Sequence, residues 1–260
     1  MMFNAELKSL VFTAMRKAGE AVRAFEPGDV EVQVKEDQSP VTEADLASNR
    51  ILIEALQQTG KTIFSEEQEA GEPLNSAWII DPLDGTKEFL RGTGEYSVMV
   101  AYVEEGVLLF GAVYQPSTGT LCYAVKGEGA FQVQEGGEKP LSVSSNSGAR
   151  MIVSRSHLTE DVELIAKEFG VSEFVRCGSI GVKSMNLIMG QADMMLYTQH
   201  KLPDWDRAAS HILLEEAGCS VSDIHGDAFV YLDGTKQQQG FVAAEHLSHA
   251  RLVEIAKKYV

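Results

Sequence analysis

Residues 97–133, SVMVAYVEEGVLLFGAVYQPSTGTLCYAVKGEGAFQV, leave this chain little choice of local structure. Apolar, β-branched and aromatic residues run in short blocks, interrupted by Glu-Gly, Pro-Ser-Thr-Gly and Gly-Glu-Gly. The blocks have strand composition and the interruptions are turn formers, so the stretch reads as a meander. Upstream, Leu7, Leu10, Val11, Ala14, Met15 and Ala18 recur at helical spacing, interleaved with Lys8, Arg16 and Lys17. VEVQVKED (30–37) alternates like a strand, and a second helix is expected from about Thr42 to Gln58, carrying Ala44, Leu46, Ile51, Ile53 and Leu56. KTIFSEE and SAWIIDPLDG read as short buried strands that run out into acidic loops. The first half is therefore expected to be helices covering an antiparallel sheet.

At SVSSNSGAR (142–150) the composition turns small and polar, which places a boundary between residues 1–144 and 145–260. Beyond it the pattern alternates. Strand MIVSR precedes a helix near 159–169, strand EFVRC a helix near 181–190, and strand ADMMLY a helix near 206–217 that stops at Gly218. A last helix lies near the C-terminus. Such alternation indicates an α/β half, with Met185, Met189, Met194 and Met195 expected in its core. A chain of 260 residues accommodates two such halves, and the cleft between them is the natural site.

The net charge of −16 repels polyanions, so a nucleic-acid polymer or an anionic membrane surface is not an expected partner. Most of the acidic excess reads as solvated surface, yet it also supplies what a divalent cation needs. Cys122, Cys177 and Cys219 are odd in number and form no C-x-x-C pair, so neither a zinc site nor a disulfide framework is expected. Reduced thiols, no signal-peptide block and no membrane-length apolar run together point to a cytoplasmic protein.

The pentapeptide LDGTK occurs twice, at 83–87 and 232–236, and the flanks distinguish the copies. In WIIDPLDGTKEF an apolar strand runs into Asp81, Pro82 stiffens its exit, and Gly85 allows a tight turn into a short helix from about Thr86. Asp81 and Asp84 can converge there, with the Leu83 carbonyl between them. Carboxylate and carbonyl oxygens suit Mg²⁺ or Mn²⁺ rather than zinc, and the amides of Gly85 and Thr86 suit a phosphate. In the second copy Val230 stands where Asp81 does and Tyr231 where Pro82 does. Asp233 is then a turn residue with no metal role. Glu66 and Glu67 follow a short apolar strand, and Asp204 and Asp206 open a helix. Taken singly these are solvated or capping acids.

Together, VTEAD (41–45), SEE (65–67), DPLDGT (81–86) and WDRAA (205–209) resemble the inositol monophosphatase-like superfamily of Mg²⁺-dependent, lithium-sensitive phosphatases, over nearly the whole chain. Ser65 departs from the glycine that many members carry before the Glu pair. The resemblance implies a layered α/β sandwich with an antiparallel-sheet N-terminal half bearing most of the metal ligands and an α/β C-terminal half supplying Asp206. It implies two or three Mg²⁺ ions, with Mn²⁺ able to substitute, held by Glu66, Asp81, the Leu83 carbonyl, Asp84 and Asp206. Glu67 is the less favoured ligand of its pair and Asp204 reads as a helix cap. Thr86, backed by Asp45, would orient the attacking water, making Asp45, Glu66 and Thr86 the expected catalytic set.

Lys87-Glu88-Phe89, VSRSH (153–157) and GSIGVKSMNLIMGQADMMLY (178–197) resemble the bisphosphate nucleotidase branch, which removes the 3′-phosphate of adenosine 3′,5′-bisphosphate. Substrate would then meet Glu66, Leu83, Asp84, Gly85, Thr86, Asp206 and Lys183, although an exposed position is the commoner fate of a helix lysine. His200 could also touch substrate, with a solvent-facing loop as its default. An inositol-phosphate or sugar-phosphate monophosphatase on the same fold is the open alternative, and a catalytically silent binding protein is the contrasting one. The partner is a small phosphorylated molecule, and relatives of this pattern often form homodimers. Ser154, Ser156 and His157 lack the G-x-S-x-G setting of a serine hydrolase.

Overall fold

The computed structural model describes residues 3–25, 32–34, 40–68, 73–143, 149–156, 158–199, 202–234 and 238–260. Asn4 starts helix α1 (Ala5–Arg23) by accepting the Leu7 amide at 2.9 Å. Strands β1 (Val32–Val34) and β2 (Pro40–Thr42) form an antiparallel pair. Thr42 then caps α2 (Glu43–Leu56) with a reciprocal capping box to Asp45. Next come β3 (Ile63–Ser65), β4 (Ala77–Asp84) and the short α3 (Thr86–Leu90). The expected meander follows as β5 (Ser97–Glu104), β6 (Val107–Gln115), β7 (Thr120–Val125) and β8 (Gly129–Gln134), extended by β9 (Gly137–Leu141).

The second half runs β10 (Arg150–Ser154), α4 (Glu160–Phe169), β11 (Glu173–Cys177), α5 (Ile180–Ile188), β12 (Met194–Tyr197) and α6 (Asp204–Glu216). Two strands absent from the sequence reading, β13 (Ser220–Ser222) and β14 (Phe241–Ala244), precede α7 (His246–Ala256). Both are too short to show a period. The boundary placed at 144/145 lies outside the described residues.

The large sheet has the order β3-β4-β5-β6-β7-β8-β9. It is antiparallel except at its edge, where β3 pairs parallel with β4. The small sheet, β11-β10-β12-β14-β13, keeps β10, β11 and β12 parallel and reverses at β14. β4 and β5 are buried on both faces and read as continuous apolar runs. Trp78 and Ile80 pack against Val11, Met15 and Leu52 of α1 and α2. Ala77 and Ile79 face the other way, into a core shared with Ile180 of α5 and Ile212 of α6. α5 and α6 thus form a layer between the two sheets, and α4 and α7 cover the outer face of the small one.

Gly111 sets how closely that middle layer sits. A Cβ there would lie 2.5 Å from Ile212 Cγ2 and 2.9 Å from Ala209 Cα, so α6 rides directly on the backbone of β6. Met185, Met194 and Met195 are buried as expected, whereas Met189, at the C-terminus of α5, is 38% exposed. All three cysteines are buried and unpaired, and burial pushes each thiol up to about 12. Among the described residues no helix is long and apolar enough to cross a membrane.

Candidate active site

Strand alternation puts Asp81 on the Ile79 face of β4, toward α6. Asp84 is an odd number of residues away and would point to the opposite face in a regular strand. The β4–β5 register breaks between them, Asp81 pairing with Met99 and Asp84 with Ser97, so an extra residue is inserted on β4. Pro82, which has no amide to offer the ladder, sits in that bulge. The bulge brings Asp84 round to the side of Asp81. Asp206 reaches the same point from the first turn of α6, and carboxylate oxygens of Asp81, Asp84 and Asp206 lie within 4.8 Å of one another.

Asp81 is fully buried at 1% exposure. Burial first, then the neighbouring charges of Glu66, Asp84 and Asp206, hold its carboxyl well above the usual range. Asp206 is raised in the same way, by burial and then by Asp84 and Glu66. Glu66 leaves the end of β3 with its amide donating to the Ile80 carbonyl at 3.2 Å, and its side chain hydrogen-bonds Asp81. Converging carboxylates that repel one another in a buried site fit a hard divalent cation, which would let all of them ionise. The set contains only oxygen donors, so it fits Mg²⁺ or Mn²⁺ and not zinc.

Asp84 is held by groups that the sequence reading missed. Its carboxylate accepts from the Gly181 amide at 2.8 Å, the Ile180 amide at 3.2 Å, Ser97 Oγ at 3.0 Å and Ser179 Oγ. Ser179 also caps α5 by accepting the Val182 amide at 3.0 Å. The acid from the large sheet therefore sits at the positive N-terminal end of a helix from the other half. The Gly-Ser pair before an apolar run was the available signal for that cap.

Thr86 Oγ1 lies 3.1 Å from Asp45 Oδ1 and 3.2 Å from the Leu83 carbonyl, and its one hydrogen can serve one of them. Asp45 Oδ2 accepts both the amide (2.7 Å) and the hydroxyl (2.5 Å) of Thr42. Its pKa is nevertheless raised, chiefly by burial. Asp45 thus ends α2's capping box and backs Thr86 at once. Gly85 adopts φ +92°, and a Cβ there would come within 2.9 Å of the Glu95 carbonyl, so the turn admits no side chain. Ser65 is buried and donates to Asn49 Oδ1 at 2.8 Å, which anchors the end of β3 to α2.

An open cleft of about 240 Å³ is lined by Glu66, Asp84, Gly85, Thr86 and Asp206, with Lys87, Glu88, Ser154, Ser156 and Gly178. Lys87 is exposed on this rim. Lys183 is not among the lining residues. It is 4% exposed rather than a surface lysine, because α5 is buried on nearly all sides between the sheets. Burial lowers its pKa, while Cys177, Asp84, Glu88 and Asp206 act in the opposite sense. Asp204 does not cap α6: Pro203 holds the N-cap position, and the Asp204 carboxylate binds Arg207 Nη2 and the Leu232 amide instead. The second LDGTK copy has loop conformation over its described part, and Asp233 is not in the carboxylate cluster. His157 and His200 lie outside the described residues.

Residues 4–260 match the sequence profile of the inositol monophosphatase family. A 3′(2′),5′-bisphosphate nucleotidase CysQ from Aggregatibacter actinomycetemcomitans is 34% identical over 231 residues, which cover 85% of this chain and 86% of that protein. The crystal structure of CysQ from Bacteroides thetaiotaomicron superposes with a TM-score of 0.74 at 25% identity, covering 91% of this chain and 96% of that one. The SuhB protein of Bartonella henselae shares the fold at a TM-score of 0.84 and 24% identity, covering 98% of this chain and 100% of that one.

Proposed function

This chain belongs to the inositol monophosphatase family, and from that premise we propose that it is a divalent-metal-dependent phosphatase releasing the 3′-phosphate of adenosine 3′,5′-bisphosphate to give AMP. The observation that carries the hydrolytic reading is the convergence of Asp81, Asp84 and Asp206 within 4.8 Å beside an open cleft. The substrate follows from the similarity to bisphosphate nucleotidases over most of the chain. Glu66, Asp81, the Leu83 carbonyl, Asp84 and Asp206 are the proposed ligands of two or three Mg²⁺ ions, with Mn²⁺ as a substitute. Such ions supply Lewis acidity, making hydroxide available near neutral pH and screening phosphoryl charge.

The chain's own residues position the reactants. By donating to Asp45, Thr86 Oγ1 keeps its lone pairs for the hydrogen of an attacking water. Gly85 and Thr86, both lining the cleft, are the proposed phosphate contacts. Lys183 keeps its proposed link to the nucleotide from a buried position near Asp84 and Asp206 rather than from the rim. Cytoplasmic location and a homodimer complete the proposal.

Phosphate release in Mg²⁺ buffer tests it, comparing adenosine 3′,5′-bisphosphate with inositol 1-phosphate and fructose 1,6-bisphosphate. A strong preference for the nucleotide is expected. A preference for the polyol or sugar ester would keep the metal site and overturn the substrate.

A further inference from the structure

The second LDGTK copy, which has no part in the carboxylate cluster, lies against the first turn of α6, which delivers Asp206, and against the approach to β4, which delivers Asp81 and Asp84. Leu232 has a left-handed backbone, φ +62°, which a β-carbon-bearing residue adopts at a cost. In that conformation its amide donates to Asp204 Oδ2 at 2.7 Å and its carbonyl accepts the Leu74 amide at 3.0 Å. A single residue therefore joins the first turn of α6, two residues from Asp206, to Leu74, three residues ahead of β4 and its acids.

The α6 end of this connection is fixed by a buried cation. Arg207 is 4% exposed, and its guanidinium lies 4.9 Å from the Phe229 ring and 5.4 Å from the Tyr231 ring. Its Nη2 donates to Asp204 Oδ1, while Nε and Nη1 have no partner among the described residues. A guanidinium buried with two idle donors is a poor stabiliser in itself. Tyr231 is in turn tied back to α6, its hydroxyl 2.8 Å from His211 Nδ1. On the opposite side Trp205 packs at 5.3 Å against Phe64 of β3, just before Glu66.

We infer that residues 229–232 form a strap, clamped by the Asp204–Arg207 pair, that sets the position of Asp206 against the β3 and β4 strands from which Glu66, Asp81 and Asp84 come. Arg207 is a positioning residue. The strap opposes the mutual repulsion that would otherwise splay the acid-bearing turns in the metal-free protein, and so presets the cluster for a cation. This inference rests on the metal-dependent reading of the site.

The test is calorimetric titration of the metal-free full chain with Mn²⁺, alongside melting temperature and the metal dependence of turnover. Removing one member of a buried ion pair leaves its partner's charge uncompensated and lowers stability, so melting temperature first establishes that each variant is folded at the titration temperature. In the folded chain Arg207→Met is expected to weaken Mn²⁺ binding about tenfold or more, as loss of groups that orient metal ligands does. The concentration of metal giving half-maximal rate should rise in step, while kcat at saturating metal stays near wild type. Arg207→Lys, which keeps the charge and loses the fork, should recover only part of the affinity. If Arg207→Met does not fold, Asp204→Asn is read in the same way, since it retains volume and an acceptor for Leu232. Mn²⁺ affinity within twofold of wild type in the folded variant overturns the strap. A wild-type chain that takes up no Mn²⁺ overturns instead the metal-dependent reading beneath it.

Discussion

The amide of Gly181 donates to Asp84 Oδ2 at 2.8 Å, so helix α5 begins on a carboxylate delivered by the opposite sheet. Asp84→Asn would turn a donor-bearing amide toward amides and hydroxyls that all donate, and would remove a charge from the cluster. Turnover should fall by about 10²-fold or more, and the junction of the two halves should loosen. Asp233→Asn, in the second LDGTK copy, should leave turnover intact. Phosphate release by the two variants side by side decides it, and equal loss in both would sink the distinction between the copies.

Asp81→Asn should abolish turnover and yet raise the melting temperature of the metal-free protein. The Asp81 carboxyl is held above its ordinary range, so its ionised form destabilises the fold at neutral pH. Removing that charge relieves Glu66, Asp84 and Asp206. Adding Mg²⁺ should raise the wild-type melting temperature more than that of the variant. Scanning calorimetry with and without Mg²⁺ measures both; a metal-free variant less stable than wild type would contradict the repulsion argument.

Thr86→Ala should lower kcat by about 10²-fold while leaving Mn²⁺ binding close to wild type, since its hydroxyl is proposed to orient water rather than metal. Thr86→Ser keeps the hydroxyl and should retain most activity. A parallel fall in metal affinity would instead place Thr86 among the ligand supports.

His211 carries a pH prediction. Burial pushes its imidazole down to about 4, where it faces Tyr231 and Phe229, with Lys126 and Arg207 adding like charge. Folded, it binds a proton less readily than when unfolded, so its contribution is complete above about pH 6.5 and is lost as pH falls toward about 4. The shift corresponds to about 3 kcal/mol. His211→Gln should flatten the fall in melting temperature over that window relative to wild type, both taken in saturating Mg²⁺.

Gly111→Ala tests the seating of the middle layer. The added methyl meets the backbone of Ala209, which cannot swing aside, so a loss of about 1–3 kcal/mol is expected. Denaturant unfolding measures it. The same shift should displace Asp206 and raise the metal concentration needed for activity.

Strands and helices with a clear period were legible in the sequence: β4 to β8, α1, α2 and α6 all stand within a few residues of their expected positions. So was the meeting of Asp81 and Asp84, because the Pro and Gly around them dictate a local break in the strand. Asp206 joined them only through the resemblance carried by WDRAA, since taken singly it reads as a capping acid. Asp84's partners were not legible. Ser97 opens strand β5 and Ser179 caps helix α5, 82 residues later, and nothing in their local sequence announces a shared acceptor. Lys183 misleads for a related reason: lysine is a surface residue by composition, and only the packing of α5 between two sheets buries it. Asp204 has the spelling of a cap, but Arg207 one turn later draws its carboxylate away from the helix end. The strap at Leu232 was beyond reach, since its left-handed backbone is imposed by distant partners and not by a glycine.

Among the described residues α5 and α6 pack on both sheets at once, so the two sheets are joined by shared helices rather than by a single hinge. A closing motion would have to shear α6 off the backbone of β6 at Gly111. Selection among phosphate esters is then expected to fall to the side chains of the cleft rim more than to closure of one half on the other, the device of hinged phosphotransfer enzymes.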